Sequence, residues 1–209
     1  MDKNYYKNQR EEVYEMIPST VTRVLEIGCA EGRFKENFPK SVEYWGVEPV
    51  SEVAEHARQR GIHVLCGAYE DVCSQIPDVH FDVVVCNDVI EHMSAPESFL
   101  MSLKSKIAPQ GVLVGSIPNV RFWGNLINLL IKRDWKYEES GVLDRTHMRF
   151  FTAKSFCRLL HEAGYEIVKL KGIESRRMRI LKVLFSPFLV FAGFDVCHMQ
   201  IMFKAVSAK

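Results

Sequence analysis

Residues 23–33, Arg-Val-Leu-Glu-Ile-Gly-Cys-Ala-Glu-Gly-Arg, form the stretch of this sequence that decides its fold. An apolar, strand-like run leads into a glycine turn, and Glu26 lies two residues before the first glycine, Gly28. Twenty residues after Gly28, a second acid, Glu48, ends another strand-like run. Glycine lets the backbone approach a ligand closely, and an acid at a strand end can accept both hydroxyls of a ribose. The stretch therefore predicts a nucleotide-type ligand at the carboxyl end of a parallel sheet.

The glycine spacing distinguishes between classes of such ligands. A dinucleotide-binding turn has glycine at its first, third and sixth positions, with a pyrophosphate at the N-terminus of the following helix. Here those positions are Gly28, Ala30 and Arg33, so two of the three glycines are missing. The pattern Glu-x-Gly-x-Ala-x-Gly instead resembles motif I of the class I S-adenosylmethionine-dependent methyltransferases, whose ligand has no phosphate group.

Size and composition fit a single methyltransferase domain over residues 1–209. With 47% hydrophobic residues the chain can bury a substantial core, and its net charge of +1 gives no reason to expect a nucleic-acid partner. The six cysteines show no Cys-x-x-Cys spacing, which predicts buried free thiols in a reducing compartment, the cytoplasm. The N-terminus does not resemble a signal peptide, and no run of about 20 apolar residues could span a membrane.

Strand-like and helix-like segments alternate along the chain, which predicts an α/β doubly wound sheet with helices on both faces. The resemblance implies a Rossmann-like sheet of seven mostly parallel strands, with the last strand antiparallel. Thr152 and Ser51 are predicted helix N-caps, and Gly61 and Gly164 are predicted to end helices. The predicted strands are 23–28, 43–48, 63–66, 81–86, 111–117, 165–171 and 197–206, and the predicted helices are 8–17, 31–38, 51–60, 95–107 and 152–163.

Two segments exceed what this fold needs. Residues 118–151 are rich in aromatic and basic side chains, and residues 172–195 begin basic and become apolar. Long insertions at the carboxyl edge of such a sheet usually handle the substrate. Both are predicted to form a substrate cap or an interface, including the interface of a homodimer.

The resemblance implies a set of residues that bind S-adenosylmethionine. Glu26 would lie near the ammonium group of the cofactor, and Glu48 would accept the ribose hydroxyls. Residues 67–71 would hold the adenine, and the backbone carbonyl of Asn87 would face the methionine amine. The backbone of the glycine turn would surround the methionine part, and the full predicted set is Glu26, Gly28, Cys29, Ala30, Gly32, Glu48, Tyr69, Glu70 and Asn87.

Residues 88–92, Asp-Val-Ile-Glu-His, follow the predicted fourth strand and resemble the Asp-x-x-Glu-His signature of the same family. His92 is a candidate general base, because an imidazole can take a hydroxyl proton at neutral pH. Similar stretches in quinone and small-RNA methyltransferases bind a divalent metal, which gives Asp88, Glu91 and His92 a second possible role. Magnesium prefers more oxygen ligands than these residues offer, so we predict that no metal is required.

Residues 144–151, Asp-Arg-Thr-His-Met-Arg-Phe-Phe, resemble a sequence box of methyltransferases from polysaccharide and glycan gene clusters. His147 lies between two arginines, which are expected to lower its pKa and to make it a rival base to His92. Asp144 is predicted to pair with Arg145, with Phe150 and Phe151 buried. Arginines fork onto phosphate or carboxylate and tryptophan stacks on sugar rings, so Arg121, Trp123, Arg145 and Arg149 are the predicted substrate-binding residues.

Two terminal features allow further hypotheses. Residues 176–194 are basic and then apolar, and they could lie on the inner face of an anionic membrane or cover the active site. Tyr5, Tyr6 and Arg10 could fold over the cofactor as a lid.

These features together predict an S-adenosylmethionine-dependent O-methyltransferase. Its predicted acceptor is a sugar hydroxyl, in a small molecule or in a lipid-linked glycan, within glycan biosynthesis. An aromatic or quinone acceptor is the alternative, and a non-catalytic S-adenosylmethionine-binding module is the alternative of a different class.

Overall fold

A computed structural model describes residues 10–173 and 193–208 of the chain. Seven strands form one sheet in the order β3-β2-β1-β4-β5-β7-β6, and only β7 runs antiparallel to its neighbours. This confirms the predicted sheet and its reversed last strand. The strands are β1 (Arg23–Ile27), β2 (Glu43–Glu48), β3 (His63–Cys66), β4 (Phe81–Asn87), β5 (Ile107–Pro118), β6 (Tyr165–Ile173) and β7 (Gln200–Ser207).

Helices cover both faces of this sheet, as the alternating pattern predicts. Because both faces are covered, the central strands are apolar on both sides, and all residues of β4 except Asp82 and Asn87 are buried. Each face has its own core, one around Leu100 and Phe156 and the other around Val13 and Ala54. The helices are α1 (Glu11–Tyr14), α2 (Ser51–Gln59), α3 (Tyr69–Val72), α4 (Pro96–Lys106), α5 (Trp123–Leu130) and α6 (Ala153–Glu162).

The structure confirms some of the predicted helix ends and contradicts others. Thr152 caps α6 in a reciprocal hydrogen-bonded box with Ser155, and Gly61 and Gly164 adopt positive φ just beyond the ends of α2 and α6. The prediction for Ser51 is wrong, because Ser51 is already the first helical residue of α2 and Val50 precedes it without a side-chain cap. Residues 31–38 form only a short 3₁₀ helix, Arg33–Asn37, and Pro39, two residues beyond its end, cannot continue it.

The sheet order creates a crevice between β1 and β4. The chain leaves β1 toward β2 on one side and leaves β4 toward β5 on the other, so the loops after these two strands diverge. Such a switch point is where open α/β sheets bind their ligands. Glu26 and Asn87 lie on these two strands.

The first insertion contains α5 and a loop that returns to the carboxyl edge of the sheet, where Asn119 bridges to Phe151. Most of the second insertion, including almost all of residues 176–194, lies outside the described residues, as do Tyr5 and Tyr6. Within the described ranges 10–173 and 193–208, no helix is long and apolar enough to cross a membrane.

Candidate cofactor and active site

A cleft of about 990 Å³ opens at the carboxyl ends of β1, β2 and β4. The glycine turn, the turn after β4 and residues 139–148 of the first insertion form its walls. The sequence-predicted residues that line it are Glu26, Gly28, Cys29, Ala30, Glu48, Tyr69, Glu70, Asn87, His92, Arg145 and His147.

Glu48 and the glycine turn hold one another in place. Gly28 has φ +68, and a Cβ at this position would lie 2.9 Å from Val89 Cγ2. The amide of Ala30, a residue with φ +47, donates to Glu48 Oε2 at 3.0 Å, and the amide of Val50 donates to Glu48 Oε1 at 3.0 Å. The carboxylate therefore fixes the loop that forms a wall of the cleft, and its role in binding a ribose stays a prediction.

Gly32 does not line the cleft, contrary to the sequence prediction. A Cβ on Gly32 would lie 2.4 Å from Ile62 Cδ1 and 3.3 Å from the Ala57 backbone, and its φ is +78. The glycine is therefore needed for packing the turn against α2 rather than for contact with a ligand.

Glu26 is a buried acid at the floor of the cleft. Burial raises its pKa to about 8, although the Tyr44 hydroxyl donates a hydrogen bond to Oε2 at 2.7 Å and opposes that shift. The buried side-chain amide of Asn87 lies beside this carboxyl and, like the Tyr44 hydroxyl, lowers its pKa. A cationic ligand group would favour the ionised form of Glu26.

Tyr69 and Glu70 have different positions relative to the cleft. The Tyr69 hydroxyl shares a 2.8 Å hydrogen bond with Ser102 Oγ, and its ring packs edge-on against Phe99. Its side chain therefore packs into the core, although Tyr69 also lines the cleft, and its role in cofactor binding stays a prediction. Glu70 is exposed at the rim, where an adenine amine could reach it.

Asp88 is held by a network that the sequence did not reveal. It has φ +52 and is buried, and it forms an ion pair with Arg10. Ser116 Oγ donates to Asp88 Oδ1 at 2.9 Å, and Gln200 Nε2 donates to Oδ2 at 2.8 Å. Gln200 is 112 residues away in the chain and on the antiparallel strand β7, so no local pattern could have indicated it.

Glu91, His92 and His147 come together beside this network, with one potential ligand atom from each lying within 4.8 Å of the others. His92 Nδ1 lies 3.2 Å from the carbonyl oxygen of Thr146, and His147 Nδ1 lies 3.1 Å from that of Val142. Because a carbonyl only accepts, each neutral imidazole carries its proton on Nδ1 and has a lone pair on Nε2. In that tautomer, the Nε2 atom of each ring is the one that can accept a proton.

The pKa values of Glu91 and His147 are both shifted in the direction that favours the neutral form. Burial, followed by the nearby Asp88, raises the pKa of Glu91 well above its usual range, and neither of its carboxylate oxygens has a hydrogen-bond partner among the described residues. The pKa of His147 is lowered, as predicted from the sequence. The predicted cause was wrong, because burial of the ring and not the flanking arginines is the main contribution.

Arg121, Trp123, Arg145 and Arg149 do not form one substrate site. Only Arg145 lines the cleft, and it pairs with Glu139 instead of Asp144, whose carboxylate accepts from the amide and hydroxyl of Thr146. Arg149 donates to the carbonyl of Ser94 at the rim. Arg121 pairs with Asp195, and Trp123 lies on α5. Like Arg149, neither residue lines the cleft, contrary to the prediction.

Aromatic rings extend outward from the histidine cluster. The ring centroids of His92 and His147 are 4.8 Å apart, and that of Phe150 lies 6.3 Å from His147. Trp135 and Tyr137 contact Phe150 at 5.4 and 6.1 Å. Phe151 is buried as predicted, whereas Phe150 is only partly buried because it belongs to this series of rings.

Comparison with known proteins agrees with this geometry. A family model described as a methyltransferase domain matches residues 4–170. A crystal structure of a SAM-dependent methyltransferase from Archaeoglobus fulgidus superposes with a TM-score of 0.70 at 19% identity, covering 98% of this chain and 94% of that one. At that identity the likeness establishes the fold.

Two curated relatives are also similar in sequence. The ubiquinone biosynthesis O-methyltransferase of Aeromonas salmonicida (strain A449) is 28% identical over 160 residues, which cover 72% of this chain. The mitochondrial ubiquinone biosynthesis O-methyltransferase of Schizosaccharomyces pombe (strain 972 / ATCC 24843) is 30% identical over 164 residues, again 72% of this chain. The matched part spans 66% and 57% of the length of these two relatives.

Proposed function

The chain belongs to the class I S-adenosylmethionine-dependent methyltransferases, and we propose that it methylates a hydroxyl of a phenolic, quinone-type acceptor. The observation that carries the proposal is the pair of imidazoles, His92 and His147, with free Nε2 lone pairs beside the predicted methyl-donor site. The names of the two curated relatives support an oxygen acceptor on a quinone precursor.

Methyl transfer requires the acceptor oxygen, the methyl carbon and the sulfur to be aligned, and it requires the removal of one proton. When bound, S-adenosylmethionine supplies a methyl group on a sulfonium, so that the acceptor oxygen forms the new bond to carbon while the carbon–sulfur bond breaks. Glu26, Glu48 and Asn87 would orient this cofactor, and Nε2 of His92 or His147 would take the hydroxyl proton. The turn after β4 fixes His92, and the loop 139–148 brings His147 to it.

The acidity of the acceptor favours a phenol over a sugar. A phenolic hydroxyl has a pKa of about 10, within a few units of an imidazole, whereas an aliphatic sugar hydroxyl is far less acidic. His147 is held neutral by burial, so it can accept such a proton near pH 7. The rings of Trp135, Tyr137 and Phe150 add apolar surface suited to an aromatic acceptor.

A sugar acceptor remains the second candidate, because Arg145 of the glycan-type sequence box does line the cleft. Its guanidinium could bind a phosphate group of a glycan precursor. Of the other arginines predicted for this purpose, Arg121 pairs with Asp195 and Arg149 donates to the Ser94 carbonyl at the rim. Neither arginine lines the cleft, which weakens this alternative.

A divalent metal fits the same cluster better than the sequence suggested. Asp88 is occupied by Arg10, Ser116 and Gln200, but His147 replaces it, so that one carboxylate and two imidazoles face each other. The unpartnered carboxylate oxygens of Glu91 are consistent with a ligand role, and such a donor set suits a transition metal. A bound ion would lower the pKa of the acceptor hydroxyl. That turnover needs no metal stays a prediction, tested by chelation followed by metal re-addition.

The experiment that tests the proposed function uses methyl-labelled S-adenosylmethionine with a catechol as acceptor, and with cell extract partitioned between water and organic solvent. We expect methylated catechol, and extract label in the organic phase. His92→Ala and His147→Ala should lose turnover while retaining cofactor binding, and His161→Ala, an exposed histidine on α6, should not. Label confined to the aqueous phase would favour a sugar. Cofactor binding without transfer to any acceptor would indicate a non-catalytic binding module.

A further inference from the structure

The side chain of Asp88 is held by three other side chains at the carboxyl edge of the sheet. Ser116 Oγ on β5 donates to Asp88 Oδ1 at 2.9 Å, and Arg10, just before α1, forms an ion pair with Oδ2. Gln200, the first residue of β7, places its Nε2 atom 3.0 Å from Asp88 Oδ1 and 2.8 Å from Oδ2. Its Oε1 atom accepts from Arg10 Nη1 at 2.7 Å. One glutamine thus joins the carboxylate to the cation that pairs with it.

The two ends of the Gln200 amide are matched to these partners. A guanidinium only donates hydrogen bonds, and an ionised carboxylate only accepts them. The amide oxygen therefore has to face Arg10 and the amide nitrogen has to face Asp88, as they do in the structure. A glutamate at this position would place a second carboxylate against Asp88, and a methionine would offer neither group.

These contacts use the hydrogen-bonding capacity of Asp88. A carboxylate has about four acceptor positions, and one contact with Ser116, one with Arg10 and two with Gln200 fill them. Asp88 lines the cleft, but it is only 7% exposed. Its carboxylate therefore anchors the chain and is not a group that binds a ligand.

The backbone conformation at Asp88 depends on this anchor. Its φ of +52 lies in the left-handed region, which is unfavourable for a residue with a Cβ and persists where the surroundings hold it. The Asp88 amide also donates to the carbonyl of Ser116 at 2.9 Å, so that backbone and side chain are both tied to β5. Loss of the side-chain contacts would leave the unfavourable φ with less to hold it.

The turn after β4 carries proposed site residues on both sides of Asp88. Asn87 precedes it at the end of β4, and the 3₁₀ helix Ile90–His92 follows it. The ring centroid of His92 lies 4.8 Å from that of His147. A change of conformation at Asp88 would therefore displace a residue predicted to bind the cofactor and a residue proposed to take the proton.

We propose that Gln200 is a positioning residue, which holds Asp88 so that the turn after β4 presents Asn87 to the cofactor and His92 to the acceptor. Because β7 is antiparallel and pairs Gln200 with Pro118, its first residue reaches the edge at which the parallel strands end. The effect on turnover rests on the proposed function, whereas the effects on the turn and on cofactor affinity do not.

The test compares Gln200→Met, Gln200→Glu and the swapped pair Gln200→Glu/Asp88→Asn. The swap puts a carboxylate beside Arg10 and an amide at the end of β4, so that hydrogen bonds between the two side chains can form again. Methyl transfer to a catechol is measured at saturating cofactor and acceptor, and cofactor affinity is measured by calorimetry. Gln59→Met, at an exposed position of α2, is the matched control and should behave as the wild type.

The expected loss lies mainly in kcat. Gln200→Met and Gln200→Glu should lower kcat roughly a hundredfold, since a misplacement of about 1 Å can cost this much. Cofactor affinity should weaken by a smaller factor than kcat falls. The swapped pair should recover at least about tenfold of the kcat that Gln200→Glu loses, because the anchor is rebuilt with its donor and acceptor exchanged.

The ring of His92 gives a readout that needs no acceptor. The proton–carbon correlation signal of its Cε1–H group, assigned by its loss in His92→Ala, should move in Gln200→Met and in Gln200→Glu. It should return toward the wild-type position in the swapped pair. A residue that only stabilised the fold would lower the melting temperature and would leave this signal and kcat unchanged in the folded protein.

Two outcomes would overturn the proposal: an unchanged kcat and His92 signal in Gln200→Met, or a swapped pair no better than Gln200→Glu. If Gln200→Met does not fold, the comparison of the swapped pair with Gln200→Glu decides alone. If the wild type binds S-adenosylmethionine but methylates no catechol, the proposed acceptor is wrong. The His92 signal and the cofactor affinity then still decide the role of Gln200.

Discussion

Glu26 shows how one buried acid can prepare a site for a cationic ligand. An ionised carboxylate is unfavourable when buried, so the pKa of Glu26 rises to about 8. The hydrogen bond from the Tyr44 hydroxyl replaces only part of the hydration that the carboxylate loses. Near pH 7 the side chain is therefore mainly protonated in the ligand-free protein. A cofactor ammonium placed beside it would restore the charged form, and binding would release a proton.

The first prediction concerns Glu26→Gln. The carboxyl titrates near 4.5 when unfolded and at about 8 when folded, so the folded state holds more protons between these values. Stability of the ligand-free wild type should therefore fall as pH rises through this window, by at most about 1.4 kcal/mol per pH unit from this group. Glu26→Gln should remove that contribution. The free energy of unfolding of the variant should therefore rise relative to that of the wild type between about pH 5.5 and about pH 8. Urea unfolding at several pH values measures this difference.

Cofactor affinity provides the complementary measurement for the same residue. Wild-type affinity for S-adenosylmethionine should increase with pH up to about 8, whereas that of Glu26→Gln should be weaker and should lack this increase. Glu166→Gln, an exposed residue of β6, is the control. An identical pH dependence in wild type and Glu26→Gln would contradict the role of this carboxyl.

At the scale of the element, α6 depends on the box at its N-terminus. The Thr152 hydroxyl accepts from the amide of Ser155 at 3.1 Å, and Ser155 Oγ accepts from the amide of Thr152 at 3.0 Å. Two amide groups that the helix cannot satisfy internally are thereby paired. Since α6 packs Phe156 and Leu160 into one core, its first turn also anchors the chain that leaves the 118–151 insertion.

The second prediction is that Thr152→Ala lowers the free energy of unfolding by about 1 kcal/mol, because the Ser155 amide loses its side-chain acceptor. Urea denaturation measures it. Thr152→Ser keeps a hydroxyl at the same position and should retain nearly all of the stability. Equal losses in both variants would show that the methyl group, and not the cap, is what stabilises the helix.

At the scale of the whole molecule, the elements that meet at the carboxyl edge of the sheet form the walls of the cleft. The turn between β1 and the following 3₁₀ helix has no long helix whose N-terminus could hold a pyrophosphate, since Arg33–Asn37 is only five residues long. Glu48 ends β2 and Asn87 ends β4, and in the proposed function these two residues would face a ribose and an amine.

The third prediction follows from this arrangement. S-adenosylmethionine at about one hundred times its dissociation constant should stabilise the protein by about 2.7 kcal/mol, a rise of roughly 5–10 °C in melting temperature for a chain of this size. Thermal denaturation measures the rise. NAD⁺ at the same concentration serves as the comparison ligand and should produce no comparable rise. A larger stabilisation by NAD⁺ would contradict the assignment of the glycine turn.

Much of the fold could be predicted because its signals are local. The apolar run of β4, the turn at Gly28 and the cap at Thr152 each act within a few residues, so spacing and residue type suffice to predict them. The boundaries that failed, Ser51 and residues 31–38, are ends of short helices, where packing decides the final turn. Gly32 was misassigned for a related reason: a glycine beside a ligand turn and a glycine beside α2 look the same in sequence.

The sequence by itself determined the sheet, the glycine turn and the acids Glu26 and Glu48, because strand and turn preferences depend on near neighbours. Only the tertiary structure decided that His92 and His147 meet, that Asp88 is bound by Gln200, and that Arg121 and Trp123 lie outside the cleft. These contacts join residues tens of positions apart. Such pairings depend on how the loops pack against the folded sheet, and the periodicity of the sequence does not predict that packing.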